Sequence, residues 1–115
     1  MRRGDVYLAD LDPARGAETN KRRPVVIVSN DGANTTASRL GRGVVTIVPV
    51  TSNVTRVYPF QLLLPAGEAG LDRPSKAQAE QVRSIAVERL GTRLGRLPPK
   101  LVHALDQALR LHLGL

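Results

Sequence analysis

The sequence predicts a mainly β fold, a small barrel-like domain with one C-terminal helix packed on it. Three observations carry this reading. Short apolar runs rich in valine and isoleucine recur between clusters of Gly, Pro, Asn and Asp. Helical apolar spacing with proline at its entry is clear in one place only, near the C-terminus. The 115 residues, 42% of them hydrophobic, suffice for one domain with one modest core, so residues 1–115 are read as a single unit.

Residues 5–11 alternate loosely and stop at Asp12-Pro13, a strand running into a turn. Pro24 opens Val25-Val26-Ile27-Val28-Ser29, a β-branched run of the kind buried on both faces. Asn30, Asp31, Gly32 and Asn34 bring turn chemistry, so 30–43 is expected to be a loop closed by Gly41-Arg42-Gly43. Residues 44–51 form the next strand, and the proline at 49 suggests a sheet edge or a bulge. Phe60 to Leu64 make another strand, stopped by Pro65 and Gly67. Residues 75–83 are ambiguous. Ser75 and Gln78 have capping-box spacing and helix formers follow, whereas alternation of Ala77, Ala79, Gln81 and Arg83 permits a strand. After Pro98-Pro99, Val102, Leu105 and Leu109 share one helical face with Leu101 and Ala108 beside it, so Leu105 and Leu109 are expected in the core.

Seventeen Lys and Arg against ten Asp and Glu give a net charge of +7. A small domain this basic suits a polyanion such as nucleic acid. The 14:3 excess of arginine over lysine could equally reflect base composition of the gene. The excess is no tail, since residues 1–60 carry nine cations and five anions and residues 61–115 carry eight and five. Asp5, Asp10 and Asp12 interrupt any signal-peptide core, and no apolar run approaches the ~20 residues of a membrane span. A soluble cytoplasmic protein is expected.

Absences narrow the chemistry. Without cysteine there is no disulfide, cysteine nucleophile or cysteine-based zinc site. His103 and His112 both fall in the terminal helix, and no Walker-type glycine loop or metal-spaced cluster occurs. No cofactor and no metal are therefore expected. Tyr7, Tyr58 and Phe60 are the only aromatics, too few for a ring-covered RNA-binding sheet. The most charged short segment is Gly16-Ala17-Glu18-Thr19-Asn20-Lys21-Arg22-Arg23-Pro24, three cations in a row between two apolar runs.

That segment belongs to an ordered set of motifs. Arg3-Gly4-Asp5-Val6-Tyr7, Asp12-Pro13, Gly16-Ala17-Glu18, Arg23-Pro24 with its apolar strand, Pro49-Val50-Thr51-Ser52 and Glu80-Gln81-Val82-Arg83-Ser84-Ile85 follow one another across nearly the whole chain. Together they resemble the MazF/PemK endoribonuclease toxins. The resemblance implies an SH3-like β-barrel of the MazF/CcdB-like plasmid-maintenance type with a C-terminal helix, and it makes 75–83 a strand against its helix propensity. It further implies a homodimer, sequence-specific and metal-independent cleavage of single-stranded mRNA, and a cognate antitoxin with an acidic disordered segment.

Within this resemblance Arg23 and Thr51 take the catalytic places, and the charged loop is read as a phosphate site. RNA carries its own nucleophile in the 2′-hydroxyl. The enzyme need only align it, accept its proton and stabilise the charge that gathers on phosphate oxygens. The planar guanidinium fork of Arg23 suits the last task, and the Thr51 hydroxyl can donate to a non-bridging oxygen. Glu18 is the nearest carboxylate and the candidate proton acceptor. No donor to the leaving oxygen is identified, since arginine does not give up its proton in proteins. Thr19, Asn20, Lys21, Arg22, Asn30, Ser52 and Gln81 are candidate RNA contacts. Two alternatives stand beside the nuclease: a gyrase-poisoning toxin of the same fold (the CcdB type), and a barrel that binds RNA without cutting it.

Overall fold

The computed structural model describes residues 1–13, 15–18 and 21–115. In chain order the elements are β1 (Asp5–Asp10), β2 (Arg22–Ile27), α1 (Asp31–Leu40), β3 (Val44–Thr51), β4 (Gln61–Leu64), β5 (Ser75–Gln78), β6 (Arg83–Ala86), β7 (Leu90–Arg96) and α2 (Pro99–Leu113). The seven strands described form one antiparallel sheet in the order β4-β5-β3-β2-β1-β7, with β6 also beside β3.

The valine-rich runs lie at the centre of this sheet because both of its faces are covered. Val26, Val48 and Val50 turn to one side, where they meet Val6, Leu64, Leu97, Leu105 and Leu109. Val25, Ile27, Val45 and Ile47 turn to the other and pack with Leu11, Ala37 and Ile85. Val25, Val26 and Ile27 are fully buried, as the unbroken apolar run predicts. Each fully buried side chain of this size contributes roughly 1.5–3 kcal/mol relative to exposure.

Pro49 departs from expectation. It sits in a central strand, opposite Val25 of β2. On its other edge β3 pairs with β6 over residues 44–47 and with β5 over residues 50–51. The proline occupies the gap between these two partners, where a missing N–H costs no ladder bond.

A larger departure is α1, which replaces the expected loop over 30–43. The Asn30 side chain accepts the Ala33 N–H at 2.8 Å, and Gly41 closes the helix with φ 65°. The residues that read as turn chemistry are the helix caps. Buried Asn34 fixes α1 to the sheet: its amide donates to the Ser29 carbonyl at 2.8 Å, and the Ser29 hydroxyl accepts the Thr46 N–H.

The segment 75–83 resolves as strand, then a 3-10 turn over Ala79–Gln81, then the start of β6. The strand reading holds for Ser75–Gln78, and the capping-box helix does not form. β7 carried no expectation. The terminal helix appears where its periodicity places it, with Leu105 and Leu109 in the core and Arg3 bridging to Asp106 at 2.7 Å.

Candidate active site

β2 and β3 pair Val26 with Val48 and Val25 with Pro49. Arg23 and Thr51 each lie two residues beyond that last pair. On its far side Thr51 pairs with Lys76 of β5.

Arg23 and Thr51 are half-buried and open into one cleft of about 370 Å³. Arg22, Ser52, Asp72 and Arg73 line it too, over an apolar floor of Pro24, Val50 and Leu71. Three arginines against one aspartate give it a cationic lining that suits a phosphate. The Asp72–Arg73 pair spans 3.9 Å and is largely exposed, so water screens it and Arg73 keeps most of its reach. The Thr51 hydroxyl accepts the Asn53 N–H at 3.2 Å, which leaves its own proton to donate into the cleft.

Arg22 and Arg23 are adjacent in sequence but point apart. Arg22 pairs in register with Asp10, and it also lines a second recess with Asp10, Glu88 and Gly91. A side chain at position 91 would lie 2.9 Å from its guanidinium, so glycine there makes room for it. That recess holds two carboxylates, Asp10 and Glu88, and a second cation, Arg89.

The remaining candidates are dispersed. Glu18 is exposed in a tight turn in which its carboxylate accepts the Arg15 N–H at 2.9 Å, and it does not line the cleft. Lys21, with φ 68°, donates its N–H to Asp12 and accepts the Leu11 N–H, closing the base of the β1–β2 loop. The Gln81 amide donates to the Ala17 carbonyl at 3.0 Å and ties that loop to the turn before β6. Asn30 caps α1, away from the cleft lining. Thr19 and Asn20 lie outside the described residues.

Four polar residues at or beside the site, Asp72, Arg73, Ser75 and Lys76, escaped the sequence reading. Asp72 and Arg73 reach the cleft because the 3-10 turn over Glu68–Gly70 lies hard against β7. Any side chain on Gly70 or Gly95 would strike backbone there, at 2.1 Å and 2.5 Å. Lys76, only 9% exposed, donates through Nζ to the Arg56 carbonyl at 2.6 Å and so holds the chain that leaves Thr51. The one available signal was a lysine alternating with buried alanines, which on its own reads as a solvent-facing strand position. His103 and His112 belong to α2, and His103 lines a different groove with Arg3 and Asp106. Among the described residues no three His, Asp or Glu side chains converge as a metal site, and no helix is long and apolar enough to cross a membrane.

The whole chain, in sequence and in fold, is similar to known proteins. The chain is 61% identical over 115 residues to the endoribonuclease MazF9 of Mycobacterium tuberculosis, covering 100% of this chain and 98% of that one. The crystal structure of MazF from Deinococcus radiodurans superposes with a TM-score of 0.82 at 25% identity, over 100% of this chain and 97% of that one. A MazE–MazF complex from the same organism gives 0.76 at 26% identity, over 100% and 96%. The model of the PemK-like, MazF-like toxins of type II toxin–antitoxin systems matches residues 2–113, and the chain belongs to that family.

Proposed function

We propose that this protein is the toxin half of a toxin–antitoxin pair and acts as an endoribonuclease that cuts single-stranded mRNA at a preferred sequence in the cytoplasm. The observation that carries the reading is that Arg23 and Thr51 open into one cationic cleft. Relatives named as endoribonucleases support it over the gyrase-poisoning alternative.

In this reading the RNA supplies the nucleophile. The 2′-oxygen attacks phosphorus, the bond to the 5′-oxygen breaks, and the products are a 2′,3′-cyclic phosphate and a 5′-hydroxyl. One proton leaves the 2′-hydroxyl and another reaches the departing oxygen. Arg23 neutralises the charge growing on the non-bridging oxygens, and Thr51 donates to one of them. Glu18 acts as proton acceptor once its turn with Arg15 opens towards the cleft. Arg22, Lys21, Ser52 and Gln81, together with Thr19 and Asn20 of the same loop, contact the strand. A homodimer is part of the proposal, since Leu111, Leu113 and Leu115 stand exposed at the end of α2 and two-fold pairing is the commonest way to cover such surface. An acidic segment of the antitoxin would compete with RNA for the cationic cleft.

The test is incubation of the purified protein with a long RNA in EDTA, with the new ends mapped. Expected are discrete cuts carrying 5′-hydroxyl ends. Uncut RNA, or cutting that appears only on adding Mg²⁺, would contradict the reading.

A further inference from the structure

The chain leaving Thr51 carries a feature that the proposed chemistry does not use. The rings of Tyr58 and Phe60 are stacked with centroids 5.3 Å apart and planes 3° from parallel. The Arg56 guanidinium lies 5.7 Å from the Tyr58 centroid and donates to its hydroxyl at 3.1 Å. Phe60 is half-buried beneath, while Tyr58 is 41% exposed. Tyr58 is thus an exposed aromatic residue with a second ring stacked against it.

The stack is held in place by buried groups. Lys76 grips the Arg56 carbonyl from underneath. Gln61, 9% exposed, accepts the Tyr58 N–H at 3.1 Å and donates to Glu80 at 2.6 Å. Lys76 is also the ladder partner of Thr51. The residue that fixes the stack therefore sits one strand from the proposed catalytic hydroxyl.

We propose that Tyr58, stacked on Phe60, is a nucleobase-stacking subsite for a nucleotide flanking the scissile phosphate. This rests on the nuclease reading and extends it to how the strand is held. Single-stranded RNA is gripped by stacking its unpaired bases on aromatic rings and guanidinium planes. A preformed platform loses little conformational freedom on binding, so stacking there is not offset by ordering cost. The shortage of aromatics excludes a ring-covered sheet but leaves room for one such position.

The experiment compares kcat/KM for cleavage of a short RNA containing the mapped cut site by the wild-type protein, Tyr58→Leu and Tyr58→Phe. A series of the same RNA carries one abasic nucleotide at each position in turn. Tyr58→Leu is expected to raise KM about five- to a hundredfold on intact RNA, the range of base–aromatic stacking, with an unchanged melting temperature. Tyr58→Phe should stay near wild type. At one position beside the cut, base removal should penalise the wild type and Tyr58→Phe but leave Tyr58→Leu no worse. Equal penalties in wild type and Tyr58→Leu at every position, as when a second copy or a peptide covers the stack, would overturn the subsite while leaving the nuclease intact. Failure of the wild type to cut any RNA would instead remove the reading beneath it.

Discussion

The cleft and the β1–β2 loop that precedes it are built differently. Arg23 and Thr51 sit on β2 and β3, and moving either means shifting a strand whose valines are buried. The residues described in the β1–β2 loop are held instead by exposed side-chain bonds: Glu18 to Arg15, Lys21 to Asp12, Gln81 to Ala17. Such bonds exchange with water at little cost, whereas a strand shift disrupts both cores. The difference teaches where each task belongs. In the proposed reaction, charge stabilisation would sit on the strands, where donors are fixed, while strand recognition and proton acceptance would fall to a loop that can adjust to its ligand.

The largest effect is expected where the scaffold holds chemistry. Arg23→Ala and Thr51→Ala should each lower kcat about 10²–10³-fold, the usual loss for one oxyanion-type donor, with little change in melting temperature. Arg22→Ala should be far milder, because the motif places the catalytic arginine directly before Pro24, at Arg23. An inactive Arg22 variant beside an active Arg23 variant would exchange their roles.

A smaller loss is expected from Lys76→Met, which strips the Arg56 carbonyl of its buried donor. Urea unfolding should show about 1–3 kcal/mol of destabilisation. No change would mean that the chain after Thr51 is not held from below. Asn30→Ala should cost about 0.5–2 kcal/mol through loss of the α1 cap while RNA cleavage stays intact. A cleavage defect without a stability loss would make Asn30 an RNA contact instead. Gln81→Ala should be the mildest for stability, within about 0.5 kcal/mol, because its bond is exposed. A loss well beyond that would show the loop to be more firmly built than its contacts indicate.

The same contrast explains what could be read from the sequence. β2, β3 and α2 announce themselves because burial on two faces, or on one helical stripe, leaves an apolar pattern. α1 hides because its stabilising residues, Asn30 and Gly41, are also turn formers, and it buries only Asn34 and Ala37. β7 hides because Gly91 and Gly95 dilute its strand character, and both glycines answer to neighbours distant in sequence, Arg22 and Ala69. Motif resemblance named Arg23 and Thr51 as candidates, and the structure opens both into one cleft. Lys76, Asp72 and Arg73 were not legible, since only strand pairing and the packing of one short turn bring them to the site.

The central claim is that a fixed Arg–Thr pair works on a nucleophile carried by the RNA. It is tested most directly by replacing the single ribose at the mapped cut position with 2′-deoxyribose and measuring both binding and cleavage. Binding within about twofold of the all-RNA strand, a factor worth only about 0.4 kcal/mol, with no detectable cutting is the expected result. Cleavage of the substituted strand at the normal rate would contradict the claim, because the nucleophile would then have to come from elsewhere.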